Sequence, residues 1–260
     1  MHQSIYSIVP VTFRLDLKDP FIFTAHHIDH FPEGNAELGP QYPAVNQEYR
    51  MYYGETVPGF PQHPHTGFET ITLVEQGVID HFDSLGNAGR YAAGDVQWLS
   101  TGNGVEHCEM FPLIHQNRAN PLELFQIWFN SSSAQKQQDP DYKMLWREDI
   151  PHVYLNDAQG NVADIRVVAG QFNQTVALAC PTHSWAASDE NHVNIFLIDL
   201  LILFLSQLLF HIVLLKLYYF YMHFLILLHP IHKFDDLKQQ CLNTNHRNKN
   251  HFVHRLHFYL

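Results

Sequence analysis

The chain has 260 residues and 46% hydrophobic side chains, enough for one or two packed domains. Its 15 basic and 26 acidic residues give a net charge of −11, which argues against direct nucleic-acid binding through a basic face. Three scattered cysteines, Cys108, Cys180 and Cys241, supply neither a disulfide framework nor a CxxC site.

Met1 to Ile5 lack a basic stretch followed by an apolar one, so no secretory signal is expected, and the expected compartment is the reducing cytoplasm. Asp19 to Asn35 (DPFIFTAHHIDHFPEGN) reads as loop, and its His26, His27 and His30 form the kind of cluster that a chain with 20 histidines produces by chance. From there the pattern is short strands with turn punctuation. Thr70–Val74, Val78–Phe82, Arg90–Ala92, Val96–Leu99, Val105–Phe111 and Leu122–Phe129 are predicted strands. Gly77, Ser84–Gly89, Gly94-Asp95 and Gly102-Asn103-Gly104 mark the turns between them. Strand spacing of this kind predicts an antiparallel sandwich or barrel. Ser131–Asp141 is polar with a proline and reads as a linker. Tyr142–Trp146, His152–Leu155, Val162–Val168 and Val176–Cys180 then read as a second β set. There is no GxGxxG and no long stretch of helical period, which excludes a Rossmann fold and a coiled coil.

The composition breaks near Asp199. Asn191 to Leu260 contains no Gly, Ala, Glu or Trp. Residues 200–260 carry six basic and two acidic side chains, against nine and 24 in the remainder. Three readings compete for this tail. Leu200–Leu215 and Leu217–Leu228 are apolar runs, but both are shorter than the roughly 20 residues of a spanning helix. A buried core element is disfavoured by the lack of period or turn residues. A frame-shifted end, rich in residues with AT-rich codons, explains the break best. Leu-rich runs of this kind are expected to default to helix. Membrane association, as an inner-membrane alternative to the cytoplasm, is expected only through 200–228.

Chemistry concentrates in histidine pairs. In a strand, residues i and i+2 share a face, so His63-Pro64-His65 turns two imidazoles toward one point. His107-Cys108-Glu109 repeats this with an imidazole and a carboxylate, and leaves Cys108 on the other face. Across a small barrel the four side chains would meet. Imidazole and carboxylate without thiolate favour a divalent transition metal over Mg or Ca. Glu69 shares strand parity with His63 and His65, so by periodicity either Glu69 or Glu109 completes the set.

Four ordered segments carry a resemblance: His63-Pro64-His65-Thr66-Gly67-Phe68-Glu69-Thr70, Asp80-His81-Phe82-Asp83-Ser84-Leu85-Gly86-Asn87, Gly94-Asp95-Val96-Gln97-Trp98, and Gly102-Asn103-Gly104-Val105-Glu106-His107-Cys108-Glu109-Met110. Together they resemble the pirin family of the cupin superfamily, with weaker likeness from about Asp19 to Leu200. Thr66 and Leu99 stand where the family pattern has arginine and methionine.

The resemblance implies an all-β bicupin of two barrels. Residues 1–135 would form the N-terminal domain with the metal site and 136–199 the start of the second barrel. Residues 200–260 would be an anomalous, apolar and helical tail. It implies iron, as Fe2+, on His63, His65, His107 and Glu109, with Glu69 as an outer partner of a ligand histidine. It implies a quercetin 2,3-dioxygenase type of activity on a flavonol-like molecule and O2, with Glu109 also taking the 3-hydroxyl proton. The flavonol ring would open with loss of carbon monoxide. Phe68 and Trp98 would line the pocket or pack the core. The rival reading is a non-enzymatic, redox-sensing regulator that binds a protein partner with a basic face.

Overall fold

The computed structural model describes residues 7–9, 12–158, 160, 162–201, 223–230 and 257–259. In chain order the strands are β1 (Ser7–Val9), β2 (Arg14–Asp16), β3 (Phe21–Phe31), β4 (Gly59–His65), β5 (Phe68–Gln76), β6 (Val78–Asp83), β7 (Ala88–Ala92), β8 (Val96–Ser100), β9 (Val105–Met110), β10 (Asn120–Asn130), β11 (Asp141–Leu145), β12 (His152–Asn156), β13 (Val162–Ala169), β14 (Gln171–Phe172), β15 (Thr175–Val176), β16 (Val193–Leu201), β17 (His223–Pro230) and β18 (His257–Tyr259). Helix among the described residues is limited to short 3-10 turns at Gln135–Gln137, Trp185–Ala187 and Asp189–Asn191. The all-β expectation holds.

The chain divides into two compact units. The first is Thr12–Asp149 joined by the returning segment Ala179–Ser188. It holds a six-stranded sheet, β11-β8-β5-β10-β3-β2, and a four-stranded sheet, β4-β9-β6-β7, with antiparallel pairing throughout. Phe31, Val74, Leu122 and Leu124 of the larger sheet pack with Ile79 and Tyr91 of the smaller one and with Phe111 and Leu113. That apolar cluster closes one part of the space between the sheets, at roughly 1.5–3 kcal/mol for each large side chain buried. The remaining interior is polar, and the functional candidates sit there. The opposite face of the larger sheet is also buried through Ile71, Leu73, Trp98, Phe125, Ile127 and Phe129. Burial on both faces explains the near-continuous apolar runs of β8 and β10.

Most predicted strands appear within a residue or two. Asp19–Asn35 does not form the expected loop. Eleven of its residues make β3, paired with β10 from Phe21 to Phe31. Its alternation was hidden by buried polar side chains, which find partners inside the fold: His26 with Glu123, and His27 with Tyr52. The unit runs to Asp149 because β11 adds to the sheet edge beside β8, so the polar stretch near 135 lies within it.

The second unit comprises Met1–Val11, Ile150–Leu178 and Asp189–Leu260. Its sheet has the order β1-β18-β17-β16-β13-β12, with β14 and β15 as a separate two-stranded ribbon. Ile165, Val167, Ile195, Phe196 and Leu197 are buried in it. The strand expected at Val176–Cys180 is only Thr175–Val176, and the chain from Ala179 belongs to the first unit.

The helical tail is corrected where the tail is described: β17 and β18 are strands, and β17 pairs in parallel with β16. An apolar run without the 3.6 period has no helical face to bury, and its Leu, Ile and Phe suit an extended strand. Residues 202–222 and 231–256 lie outside the described residues, and with them most of the membrane and frame-shift readings. Among the described residues no helix is long and apolar enough to cross a membrane.

Candidate metal centre

β4 and β9 are neighbours, and their register sets His63 opposite His107. His65 lies two residues along β4 on the same face. One ligand atom from each of His63, His65 and His107 falls within 4.8 Å of the others. Ring centroids are 4.7 Å apart for His63 and His65, 4.5 Å for His63 and His107, and 4.8 Å for His65 and His107. His63 Nδ1 donates to the Pro61 carbonyl at 2.7 Å, which leaves its Nε2 as the lone-pair nitrogen. That Nε2 faces His65 Nε2 at 3.1 Å.

Two observations test whether these residues suit a cation. His107 is 1% exposed, yet neither of its ring nitrogens has a hydrogen-bond partner. An unpaired buried polar atom costs about 1–3 kcal/mol, so the site is costly without something to receive the ring's one lone pair and a partner for its N–H. The second observation is protonation. Burial, then the charges of His107 and His63, push His65 down to about 4 against the pull of Glu109. Burial, then His63 and His81, push His107 down to about 3 against Asp83. Both rings are neutral at neutral pH and present lone pairs. A donor set of three neutral imidazoles fits a divalent transition metal.

Glu109 stands two residues past His107 on the same face of β9 and is 4% exposed. Its carboxylate lies outside the group of three histidines. Gln126 Nε2, from β10 in the facing sheet, donates to Glu109 Oε1 at 3.1 Å and Oε2 at 2.9 Å. Thr72 Oγ1 reaches Oε1 at 3.5 Å, and Trp128 Nε1 donates to Gln126 Oε1 at 3.2 Å. Gln126 therefore aims the carboxylate. The sequence reading missed it, although a lone glutamine in LELFQIWF is the signal of a polar group facing an interior.

His81 was missed too. Asp83 pairs with His107 and His81 with Glu109 across β6 and β9. His81 is 3% exposed, its ring is 5.4 Å from His107, and it stacks on Tyr142 at 5.1 Å. Asp83 accepts from Leu85 N, Asn87 N and Asn87 Nδ2 at 2.8–3.0 Å, which fixes it beside His81. The HxD spacing in β6 repeats the i, i+2 pattern of the other pairs.

Glu69 is no outer partner of the histidines. Its Oε2 accepts from Trp98 Nε1 at 2.6 Å and its Oε1 from Trp185 N at 3.0 Å, on the far face of the larger sheet. Gly67, at φ +79°, turns the chain between β4 and β5, so parity counted through it from His65 has no meaning. Trp98 is 0% exposed and belongs to the core. Phe68 is on the site side: it stacks on Trp128 at 4.3 Å and meets His65 edge-on at 4.9 Å.

Comparison with known proteins places this region. The Pirin family model matches residues 11–129. A candidate quercetin 2,3-dioxygenase of Pseudomonas aeruginosa is 41% identical over 126 residues, 48% of this chain and 43% of that protein. Pirin-like protein 2 of Arabidopsis thaliana is 42% identical over 113 residues, 44% of this chain and 32% of that protein. The crystal structure of a quercetin 2,3-dioxygenase from Acinetobacter baumannii superposes with a TM-score of 0.50 at 26% identity, over 67% of this chain and 57% of that one. The chain thus spans less than half the length of the two relatives by sequence. Through residues 11–129, just under half of its length, the chain is similar to the pirin family.

Proposed function

We propose that this chain is a metal-dependent dioxygenase of the quercetin 2,3-dioxygenase type, with ferrous iron held by His63, His65, His107 and Glu109. The observation that carries the reading is the convergence of three neutral imidazoles, one of them buried with both nitrogens unpartnered. The names of the relatives support the substrate class. When bound, the metal supplies Lewis acidity toward the flavonol 3-oxygen. The chain's own residues do the rest. Glu109 takes the 3-hydroxyl proton on a carboxylate oxygen that Gln126 holds in place. Phe68 stacked on Trp128, with Phe23 tilted against Trp128, forms an aromatic wall beside His65 for a flat ring. The apolar cluster beyond Tyr91 keeps bulk water from that side.

The test uses the full chain, loaded anaerobically with ferrous iron, then mixed with quercetin and O2. Loss of flavonol absorbance with carbon monoxide release is expected; no loss above the metal-free control overturns the reading. Within it, Gln126→Leu is expected to lower kcat by on the order of 10²-fold, the scale of a misplaced catalytic group. Its iron affinity should fall by no more than the roughly 10–100-fold of a lost outer partner, so at saturating iron the three untouched histidines should keep the iron content at the wild-type level. Equal loss of iron and turnover would assign Gln126 to metal binding instead.

A further inference from the structure

β3 carries a second histidine assembly that the metal reading leaves unused. His26 and His27 leave the strand on opposite faces. His26 pairs with Glu123 at 2.8 Å. His27, two residues from the Ala25 that pairs with Gln126, faces the interior that holds Glu109. Its ring meets Phe60 edge-on at 6.0 Å, and Phe60 meets His63 at 6.3 Å, so one phenyl ring separates His27 from the metal cluster.

The hydrogen-bond logic of this assembly is closed. Tyr52 Oη–H donates to Asp29 Oδ2 at 2.6 Å, and Tyr52 Oη lies 2.7 Å from His27 Nδ1. Asp29 Oδ1 accepts the Arg50 backbone N–H at 2.7 Å, with the Arg50 guanidinium 3.7 Å away. Burial pushes the Asp29 carboxyl up, and the bonds from Tyr52 and Arg50 oppose it. Burial and the Asp29 bond push the Tyr52 hydroxyl upward, so it keeps its proton. A tyrosine whose single proton goes to a carboxylate has only lone pairs to offer the histidine. His27 Nδ1 therefore carries the ring hydrogen, and Nε2 is bare. Burial holds His27 down at about 4, so the ring is neutral. Tyr52 reaches both partners from a backbone at φ +57°, a region that non-glycine residues seldom occupy. A parallel bridge to Gly59, the first residue of β4, pins it there.

We propose that the Asp29–Tyr52–His27 relay presents a bare Nε2 on the barrel's inner wall, where it accepts a phenolic hydroxyl of an aromatic substrate held at the metal centre. A neutral acceptor among aromatic edges selects an uncharged O–H donor and repels a carboxylate, whose lone pairs would face its own. This inference rests on the flavonol reading and adds which part of the flavonol is read: a hydroxyl other than the 3-hydroxyl that Glu109 deprotonates. An acceptor buried at 4% exposure disfavours an analogue that leaves it unpaired.

The experiment titrates the ferrous-loaded full chain, kept free of O2, with quercetin and with 3-hydroxyflavone, which lacks the other hydroxyls. The wild type is expected to hold quercetin about three- to tenfold more tightly, the worth of one neutral hydrogen bond. His27→Leu should erase that ratio and leave the affinity for 3-hydroxyflavone in place; Tyr52→Phe should reduce it. A ratio unchanged in both variants overturns the proposal. Nitrogen-15 NMR of the His27 ring supplies the second arm, with Nδ1 protonated and Nε2 bare as the expected tautomer. A protonated Nε2 in protein that still binds quercetin overturns the relay and leaves the flavonol reading standing. Failure of the wild type to bind either flavonol overturns both.

Discussion

His107→Ala is expected to lower iron affinity by more than about 100-fold and reduce quercetin turnover to the metal-free background. Losing an outer partner of a metal ligand already costs 10–100-fold, and in the proposed site His107 would contribute a nitrogen directly. It is also the deepest of the three rings, at 1% exposure, and the one contributed by a different strand. With it gone, His63 and His65 share a single strand face and have no third imidazole to converge with. The same substitution separates a metal site from a packing role. The wild-type metal-free protein carries two unpartnered ring nitrogens, a burden of about 1–3 kcal/mol for each buried polar group. Alanine removes them, so the metal-free Tm should change little, while the rise in Tm on adding iron should vanish. A metal-free variant several kcal/mol less stable, with iron binding intact, would make His107 a core residue.

The second large effect concerns Glu69. Burial, against bonds from Ser184, Trp98 and Trp185, raises its carboxyl from 4.5 to about 7. The folded state thus holds its proton over a pH range in which the unfolded chain has lost it. The sign follows from linkage: stability from this group is fully present below about pH 4.5 and declines as pH rises, until it is gone near pH 7. The span corresponds to about 3 kcal/mol. Glu69→Gln keeps an acceptor for Trp98 Nε1 and removes the ionisation. Its unfolding free energy, measured by denaturant between pH 4.5 and 8, should lack that decline. An identical slope in wild type and variant would show that the decline comes from other groups.

The legible part of the site was the part that obeys one period. His63 with His65, and His107 with Glu109, each lie within one strand, where the two-residue repeat is strict. Glu69 failed because the count crossed Gly67, beyond which β5 belongs to the other sheet. β3 failed for a different reason. His26, His27 and Asp29 look like loop residues, and only Glu123, Tyr52 and Arg50, all distant in sequence, make their burial tolerable. Gln126 showed locally only as one polar residue in an apolar strand; its partner Glu109 depends on the two sheets facing each other, and no local pattern encodes that. The strand order itself, with β4 beside β9 and β5 beside both β8 and β10, is likewise a tertiary fact.

The place of β4 in its sheet has one more consequence. It is the outermost strand, paired with β9 along one side and touched on the other by the Tyr52–Gly59 bridge. An ion gripped by two side chains of this border strand and one of its inner neighbour would act as a rivet, resisting the peeling to which sheet margins are prone. The atoms assigned to chemistry would then also fasten the fold at its seam, so that demetallation would loosen the wall of the reaction chamber as well as empty it.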